Sequence, residues 1–374
     1  MGGDSSLRDC TRQLQLDHDI WCYIFEKLDS SIDGNSFALT CVAFRDMRNS
    51  SRKCLKIRCS TTTTITDDSI ASTIIIDPSI IDKLVSRHTK LETLTLGCLS
   101  NCRHITYSCL TSLLNYGSTL HSLDLNDCLR ITDTGLSLVA SACPLLSVIS
   151  LNLTSVSDHG LEILSKSCEF LKEVNLEDCM CITDDGICFL NQNCRQLRVL
   201  RISGCRKIRG AGFQECSPTL AHLEACHCYF GSVGVSQIVS GGGLEYLNLG
   251  RRFPGSGRLS IANDDVIAKI SRGCPLLQEW NLTGCNRIGI SGWESIGLFC
   301  QNLETLHVAG CKNLCDERGL VSIGAGCKRM SVLIVDQTQY RSDKVHHFRL
   351  QRRDVEIKRK GFLNPFGSWG IQSS

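Results

Sequence analysis

The sequence predicts an α/β solenoid of about ten strand–helix repeats behind a small helical module. Three observations carry this. An apolar pattern, Leu-x-x-Leu-x-Leu, recurs at a near-constant period; twelve of the 25 cysteines stand at two fixed places within that period; and the first fifty residues do not share it.

The pattern starts at Leu91, Leu120, Leu146, Leu171, Leu197, Leu220, Leu244, Leu277 and Leu303, and a last strand begins at Met330. Successive starts lie 29, 26, 25, 26, 23, 24, 33, 26 and 27 residues apart. An earlier, degenerate copy holds Leu55 and Ile57, followed by Ile65-Thr66-Asp67. Such a period means stacked units that bury their apolar edges against one another. The alternation x-Leu-x-Leu is strand-like, with every second side chain inward. A helix is expected after each strand, opening with Ile131-Thr132-Asp133, Val156-Ser157-Asp158 or Ile182-Thr183-Asp184. Thr or Ser suits the N-cap, and Asp in the first turn suits the positive end of the helix. Leu136, Val139, Ala140 and Cys143 then follow at helical spacing.

Eight residues after the first leucine stand Cys128, Cys179, Cys205, Cys228, Cys285 and Cys311. Three residues before the next first leucine stand Cys143, Cys168, Cys194, Cys274, Cys300 and Cys327. Two ladders in register with the repeat face the interior of a solenoid, where free cysteine acts as a small buried hydrophobe. Zinc is the rival reading, suggested by Cys226-His227-Cys228 and Cys179/Cys181, but neither is followed by a second pair at zinc-finger spacing. No metal site is expected.

Strand, cysteine, Ile-Thr-Asp and second cysteine recurring together resemble the cysteine-containing subclass of leucine-rich repeats, over residues 52–337. The resemblance implies a right-handed horseshoe. The copies at Leu220 and Leu244 match least: Ser217 and Gly241 replace the closing cysteine and Arg252 replaces the other, while the copy at Leu146 has Thr154 there.

Residues 14–48 follow another rule. Leu16, Ile20, Ile24 and Leu28 recur every four residues and make one helical face, with Trp21 and Phe25 beside it. A polar break from Asp29 to Asn35 precedes a second amphipathic stretch with Phe37, Leu39, Cys41 and Phe44. Two short helices bury too little surface to stand alone, so they need a partner or a neighbouring domain. The segment resembles an F-box. Leu16, Asp19, Ile20, Ile24, Phe25 and Leu28 match the first part of that family's pattern, and Leu39, Cys41 and Phe44 the second. Asp17 stands where the family has proline, and Phe44 where it has tryptophan. An F-box directly before cysteine-type repeats is the arrangement of one plant-like F-box subfamily. The resemblance implies a substrate-recognition subunit of a Skp–cullin–F-box ubiquitin ligase. Leu16, Ile20, Ile24, Phe25, Leu28, Leu39, Cys41 and Phe44 would dock on a Skp-type adaptor, and through it on cullin and a RING protein. The rival readings are a plain helical cap on the first repeat and a non-catalytic scaffold or inhibitor with no ubiquitin role.

Solenoid curvature exposes the strand side chains between the buried leucines. The candidates for contacting a protein substrate are Asp124, Glu173, Glu177, Arg201, Glu224, Tyr246 and His307, with Asn126, Asn175, Asn248, Glu279 and Asn281 in the same frame. Glu173 and Glu177 suit a basic or hydrogen-bonding segment; a generic solvated face is the alternative. The copy at Leu244 carries an insertion of about seven residues whose Arg251, Arg252, Phe253 and Arg258 suit a partner contact or form a tolerated loop. Residues 338–374 read as a basic tail. Arg352-Arg353 and Lys358-Arg359-Lys360 suit a nuclear signal or an acidic partner, or simply a solvated end.

The net charge of +2 creates no strong field toward nucleic acid or anionic membrane. No apolar run approaches the roughly 20 residues that span a bilayer. Met1-Gly2-Gly3-Asp4-Ser5-Ser6 fits the short N-myristoylation pattern at Gly2, with Cys10 nearby. No phosphate loop, nucleophile elbow or zinc-protease pair is present, so no catalytic residue and no cofactor is expected. An odd cysteine count without a secretory signal points to reduced thiols in the cytoplasm or nucleus.

Overall fold

The computed structural model describes residues 53–56, 78–88, 90–97, 105–214, 216–250, 262–315 and 317–360. Segment 14–48, residues 65–70 and the insertion at 251–261 lie outside these residues.

The repeat pattern becomes one parallel sheet of twelve strands, each paired with its neighbours in sequence. The strands are β1 (Cys54–Lys56), β2 (Thr93–Thr95), β3 (Ser122–Asp124), β4 (Val148–Ser150), β5 (Glu173–Asn175) and β6 (Val199–Arg201). They continue as β7 (His222–Glu224), β8 (Tyr246–Asn248), β9 (Glu279–Asn281), β10 (Thr305–His307), β11 (Val332–Val335) and β12 (Glu356–Arg359). Register follows the middle apolar residue. Leu94, Leu123, Ile149, Val174, Leu200, Leu223, Leu247, Trp280, Leu306 and Leu333 stack in one column. Each is at most 1% exposed. A one-residue slip would turn that column to water, so the pattern itself sets the pairing.

The returning segments are helices α1 (Pro78–Val85), α2 (Leu113–Tyr116), α3 (Asp133–Ala142), α4 (Asp158–Ser167), α5 (Asp184–Asn193) and α6 (Ser232–Ser240). They continue as α7 (Asp264–Gly273), α8 (Ile290–Phe299), α9 (Glu317–Gly326), α10 (Gln337–Tyr340) and α11 (Asp343–Gln351), with short 3₁₀ turns at Tyr107–Leu110, Ala211–Phe213 and Lys312–Cys315. One continuous apolar core lies between the helix and strand layers. Helices are about 10 Å wide and strands about 4.8 Å apart, so the stack bends toward the strands, whose outer face is concave.

Both cysteine ladders are buried. In the first, every thiol donates to the carbonyl of the residue just after the strand of the preceding repeat. Cys205 reaches Leu176 at 2.9 Å, Cys179 reaches Leu151 at 3.0 Å, Cys311 reaches Leu282 at 3.0 Å and Cys228 reaches Ile202 at 3.1 Å. Cys285 and Cys128 make longer contacts, to Leu249 at 3.7 Å and Leu96 at 3.8 Å. Thr154 shows what the thiol does: its hydroxyl folds back to its own Leu151 carbonyl at 2.7 Å instead of reaching the preceding repeat. The second ladder closes the helices, as in Cys143 N–H to Val139 and Cys168 N–H to Leu164, both at 2.8 Å.

One local expectation is corrected. Thr132 and Ser157 occupy the N-cap positions but make no side-chain cap to their own helices, and only Thr183 does. The aspartate that follows them is a bond to the next repeat. Asp133 accepts the N–H of Ser157 at 2.8 Å and its hydroxyl at 2.6 Å. Asp158 accepts the Thr183 N–H at 2.8 Å, the Thr183 hydroxyl at 2.7 Å and the Gly186 N–H at 3.1 Å. Asp184 takes the N–H groups of Arg209, Gly210 and Gly212. Orphan donors of one helix start are therefore satisfied by the carboxylate of its neighbour. The carboxylate sits so close that a Cβ on Gly160 would collide with Asp133 and one on Gly186 with Asp158, which explains the glycine two residues after Asp158 and Asp184.

The boundary expected at residue 337 is also corrected. Residues 338–360 extend the solenoid: α11 packs on α9, and β12 pairs with β11. Arg352 occupies the helix C-cap, the place held elsewhere by a closing cysteine. Its guanidinium donates to the carbonyls of Gly324 at 2.8 Å, Cys327 at 3.2 Å and Met330 at 3.1 Å, steadied by Asp354. With arginine in the cysteine's place, the segment reads in sequence as tail.

Two measurements check this account. Asp158→Ala leaves partly buried N–H groups without an acceptor and lowers unfolding free energy by about 2–3 kcal/mol in urea, with Asp158→Asn recovering part of it. Burial pushes the Cys143 and Cys194 thiols up to about 12, each also beside Cys168, and burial pushes Cys168 itself up to about 11. Iodoacetamide at pH 8 therefore modifies exposed Cys54 and Cys181 in the native chain, and the ladder thiols only on unfolding.

Candidate recognition surface on the strand face

Within each strand the residues third and fifth from the first leucine flank the buried middle residue and point to the concave side. Their chemistry splits in two. Many fifth residues serve the fold. Asn175, Asn248 and Asn281 each accept, through Oδ1, the N–H two residues on, at 3.0 Å. Asp124 does the same for Asn126. These side chains hold the turn that leaves the strand. The column is stitched laterally as well: Asn126 accepts the Ser150 hydroxyl at 2.6 Å, and Asn175 donates to the same hydroxyl at 3.0 Å.

The other residues form a charged platform from β5 to β10. Arg201, at the end of β6, lies between two carboxylates: Nη1 is 3.9 Å from Glu173 and Nε donates to Glu224 at 3.1 Å. The same Glu224 oxygen faces His222 Nε2 at 3.1 Å. The His222 ring lies flat on Tyr246, with centroids 3.9 Å apart and planes 2° from parallel. One strand further, His307 Nε2 lies 2.7 Å from Glu279.

Burial raises the Glu224 carboxyl, but His222 and Arg201 outweigh it and hold the group below its ordinary 4.5. Tyr246 is pushed well above its ordinary range by burial and by the Glu224 and Glu279 charges, so it remains a neutral phenol at pH 7. Asp124 is raised by burial, an effect opposed by the Asn126 N–H and by Lys56. The platform can therefore offer fixed negative charge, hydrogen-bond acceptors and one flat aromatic stack. It has no nucleophile–base pair, and among the described residues no group of three His, Cys, Asp or Glu side chains converges on a metal position. The cysteines that suggested zinc have other partners: Cys226 donates to Asn248 Oδ1 at 3.0 Å and Cys228 to the Ile202 carbonyl. No described helix is long and apolar enough to cross a membrane.

Of the substrate candidates read from sequence, Glu173, Arg201, Glu224 and Tyr246 come together, with His307 beside them and Asp124 turned into its own strand end. Glu177 is corrected: it lies past the strand and is 6% exposed, not on the solvated face. Arg251, Arg252 and Phe253 lie outside the described residues, as do Leu16, Ile20, Ile24, Phe25, Leu28, Leu39, Cys41 and Phe44. His222 escaped the sequence reading. It holds the third place of the copy at Leu220, and the repeat frame alone would have pointed to it.

Glu224 binds its proton less tightly in the fold than unfolded, so its contribution is full above about pH 4.5 and fades as pH falls through the folded value. Arg201→Met should cost about 1–3 kcal/mol at pH 7, because Glu224 stays buried with one partner fewer. The gap from the parent should narrow below pH 4, as read from urea titrations across pH.

Comparison with known proteins places the chain. Residues 118–140 match the family model described as Leucine Rich repeat. F-box/LRR-repeat protein 12 of Arabidopsis thaliana is 39% identical over 295 residues, covering 72% of this chain and 73% of that protein. Among solved structures, the Rad7 and Elc1 complex of yeast aligns with a TM-score of 0.48 at 16% identity, over 90% of this chain and 94% of that one. The leucine-rich repeat-containing protein LegL7 of Legionella pneumophila aligns with a TM-score of 0.46 at 12% identity, over 74% and 95%. The degree of identity to the Arabidopsis protein, sustained over most of both chains, makes this chain a member of the F-box/LRR-repeat protein family.

Proposed function

We propose that this chain is the substrate-recognition subunit of a Skp–cullin–F-box ubiquitin ligase. The observation that carries the proposal is its membership of the F-box/LRR-repeat family, joined to the F-box-like spacing of Leu16, Ile20, Ile24, Phe25, Leu28, Leu39, Cys41 and Phe44. In this reading the N-terminal segment docks on a Skp-type adaptor and through it on cullin and a RING protein. The concave strand face holds a protein substrate for ubiquitination and proteasomal degradation, in the cytoplasm or nucleus. The transfer chemistry belongs to the partners. This subunit supplies proximity, which converts a bimolecular step into an effectively unimolecular one. A solenoid suits the task because its face is long, rigid and built from positions that vary without touching the core.

The test is co-purification of the full chain with a Skp-type adaptor, beside a variant with Ile24, Phe25 and Leu28 changed to alanine. The parent is expected to retain the adaptor and the variant to lose it, with both showing the same cooperative solenoid unfolding by circular dichroism. Failure of the parent to retain the adaptor would overturn the ligase reading in favour of a scaffold or inhibitor built on repeats.

A further inference from the structure

The carboxylates on the concave face keep a spacing. Between β3 and β9, at the third and fifth positions, they occur on β3 (Asp124), β5 (Glu173), β7 (Glu224) and β9 (Glu279); Glu356 on β12 falls outside this spacing. The strands between them carry Val148 and Ser150, Val199 and Arg201, and Tyr246 and Asn248. Every second strand thus presents one negative group, against a single guanidinium at these positions.

Parallel strands lie about 4.8 Å apart, so alternate strands are about 9.6 Å apart, slightly less on the inside of a curve. A peptide lying across the strands meets these groups in turn. A β-conformation does not fit, because its side chains alternate faces every residue. A polyproline II helix does: it has three residues per turn and rises about 3.1 Å per residue, so every third side chain returns to one face after about 9.3 Å. The whole row from β3 to β9 spans six strand spacings, about 29 Å, or roughly nine such residues.

The four acids alternate between fifth and third positions, and arginine and lysine are long enough to reach either. Glu173 and Glu279 are the most exposed, with side chains 45% and 39% exposed, and each has one partner, Arg201 at 3.9 Å and His307 at 2.7 Å; Glu224 is held by both Arg201 and His222. Between the two acids the His222–Tyr246 stack, its rings face to face, offers ring edges against which an apolar residue can pack.

We propose that the strand face between β3 and β9 binds a basic segment in the polyproline II conformation, with arginine or lysine at every third residue. The proposal rests on the reading that this face captures the substrate, and it names that substrate's chemistry. The preformed backbone of such a segment loses little entropy on docking, which suits a shallow face with few deep pockets.

The experiment uses fluorescein-labelled peptides and the full chain, read by fluorescence anisotropy at 0.15 M salt. The probe is (Arg-Pro-Pro)5; the controls are the same residues with the five arginines contiguous, and (Glu-Pro-Pro)5. Period-three arginine is expected to bind roughly tenfold tighter than the contiguous peptide, and the acidic peptide not at all. The E173Q/E279Q double variant, which keeps side-chain shape, is expected to weaken the probe by roughly tenfold. Equal affinity of the two arginine peptides, or a probe indifferent to E173Q/E279Q, would overturn the proposal. Adaptor retention measured on the same preparations separates the two readings. A chain that holds the adaptor but ignores the probe defeats this inference alone; one that binds the probe without the adaptor defeats the ligase assignment and leaves the surface standing.

Discussion

The stacking of one apolar strand residue on its counterpart in the next repeat is the constraint from which the rest follows. A single repeat has three strand leucines and a few helix residues, too little to bury against itself. Placed in a column running from Leu94 to Leu333, the same residues become a continuous core. Removing water from each such side chain is worth about 1.5–3 kcal/mol, so register is decided by the sum of many equal choices. Everything polar in the repeat is then arranged to keep neighbours in step. The ladder thiol reaches back to the preceding carbonyl, the helix aspartate reaches forward to the next helix start, and the strand-end asparagine fixes the turn between them.

The direction of these bonds matters. Cys205 is held by Leu176 of the repeat before it, and Asp158 holds Thr183 and Gly186 of the repeat after it. The interfaces on either side of the repeat at Leu171 therefore carry one bond near the strands and another near the helices, and neither layer can slide there without breaking one. The last described repeat has no closing cysteine and needs another closure. Arg352 supplies it, donating to three carbonyls at the rim of the preceding unit, while Arg349 and Arg359 flank Tyr340 with their guanidinium carbons 4.8 and 5.4 Å from the ring centre.

The solenoid and its period were legible in the sequence because the core requirement repeats: leucine at three fixed places, cysteine at two. The aspartate's role was not, since Thr-Asp before a helix looks the same whether the carboxylate serves its own helix or the next. The last repeat was hidden for a related reason. Val355 and Ile357 stand without the full leucine pattern, and Arg352 replaces cysteine. On the recognition face, the repeat frame located the exposed positions, and the charges there could be read directly. Pairing could not. That Arg201 bridges Glu173 and Glu224, and that His222 lies on Tyr246, depends on which strands are neighbours and how long each side chain is.

The same division explains why the recognition face is sparse. At the fifth position Asn175 and Asn248 are themselves buried, spent on the turn that every repeat must make, and Glu177 has withdrawn behind the strand end. What remains free to vary is mainly the third position and the few fifth positions, such as Arg201 and His307, where the turn is closed without a side-chain amide. A face with one adjustable site per 4.8 Å strand can encode little by shape. It encodes by the order of charges along the stack, which a partner reads only if its own backbone holds side chains at a matching pitch.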